Sequence, residues 1–148
     1  MNDNAAKWVA ALRSGDYGQF VGGGLSTIVG NHCCLGVACA LYLEENADLE
    51  VFPSRDLDIS RSSIEKETVL AYRDVNDHPD AEGSDQFLPE KVYDWLGLSS
   101  NDGSFSEMYY SDEGKSYDSL AEVNDSEIFD FKQIANIIEE KEDELFAF

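Results

Sequence analysis

The chain has 148 residues, including seven Tyr, eight Phe and two Trp, enough apolar mass for one ordinary core and too much for a disordered chain. Its 31 acidic residues against 10 basic ones give a net charge of -21. That balance disfavours direct contact with nucleic acid or an anionic membrane surface, both of which need clustered Lys and Arg.

The first predicted element is a helix over Asn4 to Ser14, capped by Asp3, with Ala5, Trp8, Val9 and Leu12 at helical spacing and Gly15 placed to end it. Two short β-prone pieces, Gln19–Val21 and Leu25–Val29, flank Gly22-Gly23-Gly24, and the triplet reads as a hairpin turn. It lacks the following Lys-Ser/Thr pair of a phosphate-binding loop. From Cys33 or Cys34 to about Glu45 the residues are apolar on every side, the pattern of an enclosed central helix, and Gly36 with Ala40 leaves a strip for close approach. That run is too short to span a bilayer, and "MNDNAAKWV" has no basic start followed by an apolar stretch, so no secretory signal is read there.

Further on, "LEVF" and "TVLAYR" predict strands, and "DVNDHPDAEGSDQ" predicts a loop rich in Asp, Gly and Pro. Pro89 opens a short helix ended by Gly97, with Val92, Trp95 and Leu96 on one face. Residues 99–118 read as loop around Phe105, Tyr109 and Tyr110, and "SLAEVND" as a brief helical turn. Asp130 and Gln133 form a capping-box pattern before a last helix with Phe131, Ile134, Ala135 and Ile138 inward. Its acidic continuation, 141–148, opposes the helix dipole and is expected to fray. The fold class expected is α+β: one mostly helical domain over residues 1–148, with a central apolar helix and a small antiparallel sheet or hairpins.

Chemistry concentrates in "NHCCLGVACALYL", which holds all three cysteines. An odd count with two adjacent members argues against a disulfide framework. His32, Cys33, Cys34 and Cys39 lie within eight residues with no second ligand pair downstream, so no metal or other cofactor is expected. The loop from Asp74 to Asp85 lacks the ligand order of a calcium-binding EF-hand. A cysteine at a helix N-terminus can gain thiolate character. If the chain is an enzyme, Cys33 or Cys34 is the nucleophile of a hydrolase or transferase, with His32 or His78 as base and Asp74, Asp77 or Asp80 orienting it. The competing reading is core packing, supported by the neighbours Leu35, Val37 and Leu41.

The charge is uneven. Residues 1–43 balance two acids with two bases, residues 44–99 hold fifteen acids and five bases, and residues 100–148 hold fourteen and three. An ordered row of carboxylates can imitate nucleic-acid phosphates and occupy a basic groove. Glu139, Glu140, Glu142, Asp143 and Glu144 are candidates for such a row. A small-molecule site for a signalling nucleotide would instead need Arg55, Arg61, Lys66 and Arg73 to converge.

Four motifs bear a resemblance. Trp8, Leu12, Ser14, Gly15, Tyr17 and Gln19 fit W-x3-L-x-S-G-x-Y-x-Q; Cys33 to Val37 read C-C-L-G-V; Leu88, Pro89, Val92 and Trp95 fit L-P-x2-V-x2-W; Asn124 and Asp125 precede Ile134, Ala135, Ile138 and Glu139. In this order the chain resembles a group of small proteins that recur in bacteriophage genomes, with Val123 where leucine is usual and no match from Asn46 to Phe87. The resemblance implies a phage origin and no particular activity. Its polar members Gln19, Asn124 and Asp125 are binding candidates, unless Asn124-Asp125 is simply a turn. The expectation is an acidic, non-enzymatic protein of the host cytoplasm that inhibits or modulates a host protein with a basic surface, without touching membrane or nucleic acid itself.

Overall fold

Helix α1 spans Asp3–Ser14 and buries Ala5, Trp8, Val9 and Leu12, the four positions its sequence spacing places on one face. Its cap is Asn2, whose side chain accepts the Ala5 N–H at 2.8 Å; Asp3 sits in the first turn, favourable to the dipole. Gly15 ends it with φ 80°, a left-handed conformation that suits glycine. The structure is a computed structural model, and it describes residues 1–54 and 68–146.

Helix α2, Cys34–Glu45, is the centre of the fold. Cys34 to Cys39 and Tyr42 are buried, and α1, α3 (Glu90–Leu96), α4 (Leu120–Asp125) and β3 (Asn31–His32) all touch it. An added Cβ on Gly36 would lie 1.8 Å from the Leu25 carbonyl oxygen, so the glycine is what lets α2 lie against that backbone. Helices α5 (Phe131–Glu140) and α6 (Glu142–Leu145) complete the helical set. The capping box of α5 is formed: Asp130 Oδ1 accepts Gln133 N–H at 2.8 Å, and Gln133 Oε1 accepts Asp130 N–H at 2.9 Å.

The remaining strands are β1 (Gly18–Gln19), β2 (Ser26–Thr27), β4 (Leu49–Pro53), β5 (Val69–Asp74), β6 (Ser104–Tyr110) and β7 (Ser116–Ser119). The first five strands form one sheet in the order β1-β3-β2-β5-β4; β1 and β3 are parallel and the other pairs antiparallel. Strands β6 and β7 form a separate antiparallel hairpin.

The fold is therefore α+β, but not mostly helical, since seven strands accompany six helices among the described residues. The main sheet is mixed rather than purely antiparallel. Three of its strands are two residues long, too short for any alternation to register in the sequence. Nor does the glycine triplet turn a hairpin: β1 pairs in parallel with β3, across a connection that includes β2. The 99–118 stretch, read as loop, holds the β6–β7 hairpin. Of the segment 141–148 read as prone to fray, Glu142–Leu145 form α6 and Leu145 and Phe146 are buried, while 147–148 lie outside the described residues.

Candidate functional site

Three segments meet at the first turn of α2: the glycine loop, Cys33-Cys34, and the last turn of α4. Asn124 joins them. Its Oδ1 accepts from Gln19 Nε2 at 3.0 Å and from the Cys34 N–H at 3.1 Å, while its Nδ2 donates to the Phe20 carbonyl at 2.9 Å. Gln19 also donates to the Phe129 carbonyl at 3.0 Å. Asn124 is fully buried. The asparagine thus satisfies one of the orphan N–H groups that begin α2, a task otherwise left to a cap or to water. Asn124 and Asp125 are helical residues of α4 and not a turn before α5. Gln19 and Asn124, singled out from sequence as binding candidates, are brought together in one hydrogen-bond network.

Cys33 is the N-cap of α2, and its Sγ accepts the Gly36 N–H at 3.4 Å. The Cys34 thiol donates to the Leu120 carbonyl at 3.6 Å, and Trp8 Nε1 donates to the Cys34 carbonyl at 2.8 Å. All three cysteines are free and buried. Burial outweighs the capping N–H at Cys33 and pushes its thiol up to about 12; Cys34 and Cys39 are raised well above the ordinary thiol value by the same cause. A nucleophilic cysteine needs the opposite shift.

His32 faces the other way. Its Nδ1 lies 2.7 Å from Ser26 Oγ, to which the Tyr72 hydroxyl donates at 2.8 Å, and its ring meets Tyr17 edge-on at 5.8 Å. Burial lowers its pKa, leaving a neutral ring able to accept from Ser26. His78 is exposed in the loop after β5, and its Nδ1 accepts the Asp80 N–H at 3.1 Å. No group of three or more His, Cys, Asp or Glu among the described residues could hold a metal ion.

The carboxylates divide into engaged and outward-facing sets. Glu139 pairs with Arg13, Glu142 with the Met1 amine at 2.5 Å, and Glu144 with Lys141 at 2.8 Å while also accepting the Glu107 N–H. Glu140 and Asp143 are exposed. Lys91 bridges Asp48 at 3.0 Å and Asp74 at 2.8 Å, and holds both below their ordinary range. Arg73 is committed to Glu50, to the carbonyls of Pro79 and Ala81, and to the Phe52 ring at 4.5 Å. Arg55, Arg61 and Lys66 lie outside the described residues.

One cavity of about 130 Å³ opens beside this junction, lined by Gly23, Gly24, Cys33, Ala121 and Asp125 together with Gln86 and Phe87. Gln86 and Phe87 were missed in the sequence, where they sit at the end of a featureless polar loop. The one signal was an aromatic residue next to the Leu88-Pro89 that opens α3.

The profile of one protein family, described as a domain of unknown function (DUF8296), matches residues 1–142, and the chain belongs to that family. No curated protein and no solved structure matches it. No helix among the described residues is long and apolar enough to cross a membrane.

Proposed function

We propose that this member of the family is a phage-encoded acidic binding protein that modulates or inhibits a host protein in the host cytoplasm by occupying a basic, nucleic-acid-binding type of surface. The observation that carries the reading is the outer face of the β6–β7 hairpin. Asp112, Glu113 and Asp118 are exposed on it, with Glu122 beside them on α4 and Lys115 as the hairpin's base; Glu107, also exposed, has its N–H held by Glu144. Among these carboxylates Met108 and Tyr110 remain 46% and 65% exposed. Exposed aromatic and thioether side chains ringed by one sign of charge suit a partner that is basic and partly apolar.

Burial of the thiols argues against the cysteine-dependent alternative, because no thiolate forms near neutral pH at a pKa of about 12. The nucleotide alternative loses Arg73, whose donors are already taken.

The test is capture of host proteins on the immobilised chain as salt rises from about 0.1 M to about 1 M, over which the screening length falls from about 10 Å to about 3 Å. A specific host partner should be released along that series. It should also be lost when Asp112, Glu113 and Asp118 are changed together to Asn, Gln and Asn. A partner retained at high salt, or retained by that triple variant, would count against the proposal.

A further inference from the structure

The cavity beside Cys33 has walls of unlike chemistry. One is bare backbone: Gly23, at φ 86°, has nothing within 4 Å of where a side chain would begin, and Gly24 cannot take one without meeting Val69 and Phe20. Asp125 also lines it, and Gln86 and Phe87 complete the lining, with Phe87 43% exposed. At about 130 Å³ the space is smaller than the roughly 300–1,000 Å³ of pockets that enclose drug-sized ligands. It admits the end of a side chain and excludes a nucleotide.

We propose, building on the reading of the chain as an acidic binding protein, that this cavity receives one basic side chain of the partner, lysine or arginine, with Asp125 as its counter-ion. Asp125 differs from the carboxylates that are held in ion pairs. Asp48, Asp74, Glu50, Glu139, Glu142 and Glu144 each hold a cation. Asp125 has one neutral hydrogen-bond partner, Asn124 Nδ2 at 3.3 Å, and the backbone N–H groups of Gly23 and Gly22 lie near its carboxyl. Among the described residues no cation pairs with it. The residue as a whole stays accessible, yet protein crowds its carboxyl, and this desolvation raises its pKa despite the neighbouring N–H groups. A carboxylate in that position gains more from an arriving cation than one already paired or fully hydrated. Phe87 lines the same cavity, and an aromatic ring there adds a cation–π partner for the arriving side chain.

The test is an NMR titration of the isotopically labelled, full-length chain with three probes: N-acetyl-arginine amide, N-acetyl-lysine amide and, as a neutral control, N-acetyl-glutamine amide. The basic probes should shift the Gly22, Gly23, Gln86 and Phe87 amides saturably at millimolar concentration, and the glutamine probe should not. Asp125→Asn should weaken that binding at least tenfold. Phe87→Ala, a change at an exposed ring that leaves the fold intact, should weaken it several-fold and so tests the cavity even if the Asp125 variant misfolds. Absence of saturable shifts at these amides up to about 100 mM, far above the millimolar range expected of a single contact, would overturn the assignment. So would full binding by the folded Asp125→Asn variant or by Phe87→Ala. A host partner that needs the hairpin carboxylates but ignores Asp125→Asn would defeat this inference and leave the broader reading standing. Saturable binding of the basic probes with no salt-sensitive partner would do the reverse.

Discussion

Residues 1–43 carry as many bases as acids, whereas residues 100–148 carry fourteen acids against three bases. The neutral segment supplies most of the dry junction, with Ala5, Trp8, Leu12, Leu25, Leu35 and Val37 at 1% exposure or less. The acidic segment also buries a core face, through Leu120, Val123, Ile134 and Ile138, but adds a hairpin whose carboxylates face water. Charge and packing are thus separated in space even where they alternate in sequence. The fold depends on a few close contacts around α2, and the surface charge can vary without touching them.

The sharpest way to break that comparison is to place the same methyl group in both regions. Gly36→Ala puts a Cβ into the Leu25 carbonyl and should cost about 3 kcal/mol, with Gly36→Val failing to fold. Gly114→Ala, in the hairpin turn at φ 82° with open space around it, should cost about 1 kcal/mol by backbone strain. Urea denaturation of both variants checks this, and equal losses would mean that the junction is no tighter than the turn.

Next in size is Asn124→Ala. It strands the Cys34 N–H and the Phe20 carbonyl, and should cost on the order of 3 kcal/mol. The triple hairpin variant used to test partner binding should shift stability by no more than about 0.5 kcal/mol. The thiols give a third measure. At pH 8 an aromatic disulfide reagent should leave all three cysteines unlabelled in the folded chain and label all three in denaturant. Rapid native labelling of Cys33 would reopen the catalytic reading.

The smallest expected effects are in pH dependence, and they have opposite signs. Asp125 has a folded pKa above its ordinary 3.8, so it adds nothing unfavourable below that value and lowers stability as pH rises through the folded pKa. Asp125→Asn should therefore match the parent at low pH and gain on it toward neutrality. Asp48 and Asp74 are depressed, so their contribution is present above 3.8 and lost as pH falls through their folded values. Lys91→Met should be the less stable chain at pH 7, with the gap closing in acid. Thermal melts between pH 3 and pH 7 read both trends.

Much of the helical frame was legible from local signals. The Ala5, Trp8, Val9, Leu12 stripe, the all-apolar α2, Pro89 with Gly97, and the Asp130–Gln133 box all form as their spacing requires. What escaped notice depends on partners distant in sequence. Strands of two residues exist only because β3 brings Asn31 and His32 beside Gly18 and Gln19. The hairpin was hidden by Ser, Glu and Asp on its wet face, although Tyr117 turns inward against Phe129 with ring centres 5.6 Å apart. At the candidate site, Cys33 as cap and Asp125 as an unusual carboxylate were both within reach, whereas Gln86 and Phe87 carry no pattern that could have joined them.

Asn124 has a consequence for how the chain comes into being. The groups it ties, Gln19, Phe20 and Cys34, are 105, 104 and 90 residues away. At a synthesis rate of about 5–20 residues per second, α2 is complete about 4–16 s before the residue that satisfies its first turn exists. Through that interval its thiols and the Cys34 N–H meet solvent or a chaperone. Folding must wait for residues 120–129, and a prematurely released chain has no native state of its own to reach.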